Sequence, residues 1–263
     1  MKVKRGKRNS QRKLGGETSE KMFFIGANVA GLLNKVDSLH RIISVFTPGV
    51  IFIQESKFKR KNQLQLKDYD CFESVRVNSG GGGVFTAVHK ALNPTEVHCD
   101  DAHDIVVVEA TIHKLKRQIR FINGYGPQEN QTEDIRTSSF DQIDLEIKKA
   151  KMAGALVCLQ MDSNAKLGST LIPNDPWPQS ENGKLLEKVL IENELVLVNG
   201  KSLCKGSITR YRKTVNGIES SILDHFIVCC EMFSFVAEMI VDEEGTYSFT
   251  KYANKSGTKN PSK

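Results

Sequence analysis

Eight apolar, β-rich runs recur along this chain with helical patterns between them, and that alternation narrows the fold more than any other feature. The runs are "MFFIG" (22–26), "GVIFIQ" (49–54), "GVFTAV" (83–88), "DIVVVEATI" (104–112), "IRFINGY" (119–125), "ALVCLQ" (155–160), "ELVLVN" (194–199) and "ILDHFIVC" (222–229). So many strands exclude an all-helical protein. Between them, "NKVDSLHRIISVF" sets Val36, Leu39, Ile42, Ile43 and Phe46 on one helical face, and "GKLLEKVLIENE" does the same with Leu185, Leu186, Val189 and Leu190. A third helix is predicted over 138–151, with Phe140, Ile143 and Ile147 inward. Strands apolar on both faces, interleaved with amphipathic helices, imply sheets covered by helices.

The 263 residues, 39% of them hydrophobic, suffice for one large core, so one domain is expected. The formal charge of +6 is local: seven Lys and Arg fall in residues 1–13, leaving 30 basic against 31 acidic residues elsewhere. Residues 1–20 read as a disordered basic tail that touches phosphates, acts as a nuclear address or merely aids solubility. The six cysteines form no CxxC pair and sit in apolar surroundings, as reduced thiols do, and they give no zinc spacing. No apolar run of 18 residues and no signal peptide are present, so a soluble, intracellular, nuclear protein without membrane contact is expected, its glycosylation-like triplets at Asn130 and Asn254 unused.

Several strand candidates end in one polar residue rather than a turn cluster: Asn28, Glu55, Tyr125, and the pair Asp162 and Asn164. Strand ends gathered at one sheet edge are where α/β proteins build sites. In the D-x-N pair the strand period of two puts Asp162 and Asn164 on one face, within reach of one ion or phosphate. Carboxylates and amides without a His or Cys cluster are hard ligands, suited to Mg²⁺ or Mn²⁺. "GGGG" at 80–83 lacks the Gly-Lys-Ser/Thr of a phosphate-binding loop and reads as a device for close backbone packing. Each feature alone is weak, since a strand-end Glu is commonly solvated and Asp-x-Asn commonly a turn or helix cap.

Their order is specific. "ANVAGL", "FIQESK", "GGGGVFTAV", "NGYGPQ", "MDSNAKLG", "NGKLLEKVLIENELVLVNG" and "ITRYRKTVNGIESSILDH" together resemble the endonuclease/exonuclease/phosphatase superfamily from about Met22 to Tyr252. The T-R…S-x-I-D segment and the N-V-x-G-L opening are most similar to endonucleases of non-LTR retrotransposons, while Ala30 stands where many abasic-site repair enzymes carry an acid. The resemblance implies an α+β fold, a four-layer α/β/β/α sandwich of two mixed sheets flanked by helices. It implies that Glu55 holds Mg²⁺ with Asn28 in support, that Asp162 deprotonates the attacking water, and that Asn164 and Tyr125 hydrogen-bond the scissile phosphate. DNA would be cut to 3′-hydroxyl and 5′-phosphate ends. Basic residues suit that polyanion: Lys57, Lys59, Arg60 and Lys61 follow Glu55, and Arg210, Arg212 and Lys213 lead toward Asp224.

Asp224 matches the family acid that orients a catalytic histidine, which the family carries in a closing Ser-Asp-His that these residues do not contain. His225 should point away from the site if Asp224 faces it. His40, His89, His98, His103 and His113 read as structural or solvated. Met161 and Ser163 replace the glycine and the apolar residue usual around the aspartate, and Leu223 replaces isoleucine. A domain spanning 21–263, truncated at its C-terminus, is therefore expected, with an exposed sheet edge. It should be a monomer that binds Mg²⁺ and DNA but turns over slowly. The alternatives are a phosphatase of a small or lipid phosphate, and an inactive DNA- or protein-binding module.

Overall fold

The computed structural model describes residues 21–76, 81–112, 116–173, 175–215 and 217–244. The basic tail, Gly80, His113, Asn254 and the segment after residue 244 lie outside the described residues.

The chain opens with β1 (Phe24–Asn28), α1 (Val36–Phe46), β2 (Val50–Gln54), β3 (Tyr69–Ser74) and β4 (Val84–His89). These four strands form one sheet in the order β1-β2-β4-β3, with β1 parallel to β2 and the other pairs antiparallel. Next come β5 (Thr95–Asp100), β6 (Ile105–Ile112), β7 (Arg117–Tyr125), α2 (Glu133–Met152), β8 (Leu156–Asp162), α3 (Glu181–Glu192) and β9 (Leu195–Leu197). The remaining elements are β10 (Cys204–Lys205), β11 (Arg210–Thr214), β12 (Gly217–Ser221), β13 (Asp224–Cys229), α4 (Cys230–Phe233) and β14 (Met239–Ile240). A second mixed sheet runs β5-β6-β7-β8-β13-β9, parallel only at β7–β8. Strands β11 and β12 form a separate antiparallel hairpin, and β10 pairs with β14.

Alternation along the strands explains the layering. Val50 and Phe52 of β2 point into an inter-sheet core with Val106, Val108, Phe121 and Cys158 from the second sheet. Their neighbours Ile51 and Ile53 face outward, where Leu39 of α1 covers them. On the far side, Val107, Ile122 and Leu159 pack under Phe140, Ile143 and Ile147 of α2 and Leu186 and Val189 of α3. Both faces of each sheet are thus buried, and the α/β/β/α sandwich expected from the sequence is the one observed. All six cysteines are free, and among the described residues no helix is long and apolar enough to cross a membrane.

A buried amide pair joins the two sheets. Gln54 Nε2 donates to Asn123 Oδ1 at 2.7 Å, and Asn123 Nδ2 reaches Thr86 Oγ1 and the Phe85 carbonyl, both at 3.1 Å. Each lies next to a strand end that carries a site residue. The pair pins the register of one sheet against the other at that edge, because any slip would strand buried polar groups.

Two predicted boundaries differ. The third helix begins at Glu133 rather than 138, its first turn being acidic and exposed, so apolar spacing could not mark it. The strand before the Asp-x-Asn pair stops at Asp162, with Asn164 at φ +49°. Their shared reach therefore comes from a turn, in which the Asn164 N–H donates to Asp162 Oδ1 at 3.1 Å, rather than from strand periodicity.

Candidate active site

Four strands end and one begins at a single edge of the sandwich. Asn28 closes β1 and Glu55 follows β2, whereas Tyr125 closes β7 opposite Asp162 on β8, and Asp224 opens β13 opposite that same aspartate. One half of the cluster therefore sits on each sheet. Asn28 links them: its Nδ2 donates to Glu55 Oε1 at 2.9 Å and to Asp162 Oδ2 at 2.6 Å. The amide is oriented by the Ala30 N–H, which donates to Asn28 Oδ1 at 3.1 Å. Asn28 thus holds two carboxylates together instead of turning its own oxygen toward them. The Tyr125 hydroxyl donates to Glu55 Oε1 at 3.2 Å and accepts from Gln128 Nε2 at 2.9 Å.

The backbone around these groups is strained. Ala30, Glu55, Lys57, Asp104 and Asn164 all have φ between +47° and +53°. A left-handed conformation costs a residue other than glycine about 1–2 kcal/mol, and such residues persist where surrounding structure over-determines them. Glycines allow the close approaches. A Cβ on Gly126 would lie 2.3 Å from the Ser163 carbonyl oxygen. At φ +77°, Gly83 runs against Ser56 and Ser74, the packing role expected for the glycine run. Buried Asn182 on α3 ties two loops at this edge, donating to the Pro127 carbonyl at 2.8 Å and to that of Asn164 at 3.2 Å.

Electrostatics separate the three acids. Burial opposes charge on Glu55, but hydrogen bonds from Asn28 and Lys57, with the Lys57 charge and Tyr125, outweigh it and hold its pKa below the ordinary value. Lys57 Nζ lies 3.2 Å from Glu55 Oε2. Asp162 and Asp224 move the other way, both raised chiefly by burial; the Glu55 charge adds to the shift at Asp162, and the Asp162 and Glu55 charges add to that at Asp224. Arg210 stands close enough to oppose both shifts. Asp224 Oδ1 is out of solvent and lacks a hydrogen-bond partner among the described residues. Tyr125 is pushed up to about 12 by burial and the two nearby acids, so it remains a neutral donor.

Of the basic residues read from the sequence, Lys57 and Arg210 flank the cluster. Lys61 is held by Asp101 at 3.5 Å, while Lys59, Arg60 and Arg212 are exposed. His225 points away from the cluster, fully buried, with Nδ1 2.8 Å from Ser163 Oγ. His103 pairs with Asp100 at 2.7 Å, a structural role. Sequence reasoning missed Gln54, Asn123, Gln128 and Asn182 as supports. The signal for the first two was an amide on each of two otherwise apolar strands, immediately before Glu55 and two residues before Tyr125.

Among the described residues no group of three or more His, Cys, Asp or Glu is arranged to hold a metal ion. The donor set still fits a hard divalent cation that keeps most of its water and takes one or two carboxylates, because Glu55 is ionised, part-exposed and free of soft neighbours.

No protein-family model and no curated protein matches the sequence. Solved structures do. The endonuclease domain of TRAS1, a telomere-specific non-LTR retrotransposon, is 17% identical with a TM-score of 0.58, covering 80% of this chain and 86% of that one. The AP endonuclease LMAP from Leishmania major is 14% identical with a TM-score of 0.64, covering 82% and 84%. A mannosyl-6-phosphatase from Bacteroides thetaiotaomicron is 12% identical with a TM-score of 0.54, covering 79% and 84%. The chain has the fold of the endonuclease/exonuclease/phosphatase superfamily.

Proposed function

We propose that this protein is a Mg²⁺-dependent DNA endonuclease of retroelement type. The observation that carries the reading is the direct linkage of Glu55, Asn28, Asp162 and Tyr125 across two sheets at one edge. The retrotransposon endonuclease domain among the structures of this fold supports the DNA substrate, as do the basic side chains of Lys57 and Arg210 beside the cluster.

Glu55 would hold the ion, with Asn28 fixing that carboxylate. A bound Mg²⁺ supplies charge neutralisation at the phosphoryl and leaving oxygens. The chain's own groups do the rest. Asp162, held by two N–H donors and raised toward neutrality by burial, is placed to orient a water and accept its proton. Tyr125, neutral, would redirect to a phosphate oxygen the hydroxyl proton it gives Glu55, and Asn164, whose Nδ2 donates to the Gly126 carbonyl at 2.9 Å, would offer the second N–H of that amide. Asp224, opposite Asp162, is pushed well up by burial and by the Asp162 charge, and its protonated carboxyl would leave the base as the charged member of the pair.

Supercoiled plasmid incubated with the chain tests the proposal in Mg²⁺, in EDTA, and with Asp162→Ala. Metal-dependent nicking that the substitution abolishes is expected. DNA binding without nicking would leave only the binding module. Hydrolysis of a sugar phosphate with no DNA affinity would favour the phosphatase reading, for which the shared fold with a mannosyl-6-phosphatase is the supporting observation.

A further inference from the structure

Asp104, just before β6, is an expensive residue. It is fully buried, its backbone is left-handed at φ +51°, and burial pushes its carboxyl up to about 6 despite a guanidinium beside it. Its contacts show what the arrangement holds in place. Oδ1 accepts the Gly83 N–H at 3.1 Å, the Asp104 carbonyl accepts the Tyr125 N–H at 3.2 Å, and Oδ2 meets Arg76 Nη2 at 2.6 Å. The space is cut to fit: a Cβ on Gly82 would lie 2.8 Å from Asp104 Oδ2 and 2.9 Å from Arg76 Nε. Arg76 Cζ is thereby set 5.9 Å from the centroid of the Tyr125 ring, with 35% of the side chain open to solvent.

A brace for the β3–β4 connection would be satisfied by one N–H and would leave the guanidinium covered. Here the guanidinium's ion-pair partner among the described residues is Asp104 alone, and the group lies next to the tyrosine of the site. A fixed planar fork of donors is what recognition of a phosphodiester oxygen needs. We propose that Arg76 is a DNA-backbone contact, gripping a non-scissile phosphate beside the one that Tyr125 and Asp162 engage, with Asp104 as the residue that positions it. This rests on the DNA reading above.

Salt dependence distinguishes a phosphate contact from a brace. Duplex binding is followed by fluorescence anisotropy in EDTA across a salt series for the intact chain, Arg76→Gln, Arg76→Lys and Lys90→Gln. Lys90, paired with Asp70 at the far end of β4, is the control. Losing one phosphate contact makes the log–log slope shallower by about one and weakens binding roughly tenfold at low salt. Arg76→Gln is expected to show both changes, Arg76→Lys to keep the slope, and Lys90→Gln to match the intact chain. An unchanged slope in Arg76→Gln overturns the proposal while leaving the DNA reading standing. No salt-dependent binding by the intact chain overturns both. If Arg76→Gln fails to fold, arginine modification by phenylglyoxal, read by mass spectrometry on the unaltered chain, decides: duplex DNA protecting Arg76 supports the contact, and equal labelling with and without DNA refutes it.

Discussion

Replacing His225 with phenylalanine should remove a specific acid sensitivity from the fold. The imidazole is fully buried and its one hydrogen-bond partner among the described residues is the neutral Ser163 hydroxyl; among those residues Nε2 has no partner and no carboxylate pairs with the ring. Burial depresses its pKa from 6.5 to about 3. The unfolded chain takes up a proton at about 6.5 and the folded chain does not, so stability is fully present above that value and is lost as pH falls toward 3. At 1.36 kcal/mol per unit, the loss between pH 7.5 and 5 is about 2 kcal/mol. Asp104, Asp162, Asp224 and Glu73, all raised by burial, titrate in the opposite sense, so the total curve of the unaltered protein is a mixture. The difference between the two proteins isolates the imidazole. Urea unfolding at four pH values, followed by the fluorescence of the single tryptophan, should show the unaltered protein losing about 2 kcal/mol relative to His225→Phe. Parallel curves, with a gap constant to within about 0.5 kcal/mol, would refute the reasoning and mean that the folded chain accommodates a protonated His225.

Three further predictions follow from close contacts. Gly126→Ala drives a methyl group against the Ser163 carbonyl and displaces the turn bearing Asn164, so plasmid nicking should fall roughly 100-fold; a rate equal to the unaltered chain would show that turn to be dispensable. Gly183→Ala should destabilise by about 1–3 kcal/mol although alanine favours helices, because its Cβ would sit 2.1 Å from the Lys166 carbonyl oxygen; a rise in Tm would contradict this. Asn123→Leu should cost about 3 kcal/mol by leaving Gln54 unpaired, and adding Gln54→Leu should recover part of it; strictly additive losses in urea melts would show the amides to be uncoupled.

The sequence was most legible where burial was deepest. All eight apolar runs are strands and all three amphipathic patterns are helices, because two-sided burial demands continuous apolar stretches. What it hid was partly buried or exposed. Tyr69–Ser74 and Thr95–Asp100 lie at sheet edges with charged residues interleaved, and Arg210–Thr214 with Gly217–Ser221 forms a hairpin outside both sheets, so none carries a clean period. The candidate site was legible as strand ends, since a polar residue closing an apolar run is visible locally. Its couplings were not. Asn28 and Asp162 are 134 residues apart, and nothing in either segment announces that one amide spans two carboxylates. Arg76 and Asp104 stayed hidden for the same reason, and the turn at Asn164 depends on a backbone conformation that residue identity permits without requiring.

Because Asn28 and Glu55 ride on one sheet while Tyr125, Asp162 and Asp224 ride on the other, no half-built molecule owns the constellation. A refolding intermediate with either sheet formed and the other loose would have normal strands, helices and much of its apolar burial, yet its acids would be apart. Regain of the proposed nicking activity during refolding would therefore be a clock for the docking step alone. It should lag far-ultraviolet circular dichroism and coincide with the last-formed contacts between the sheets, the amide pair among them.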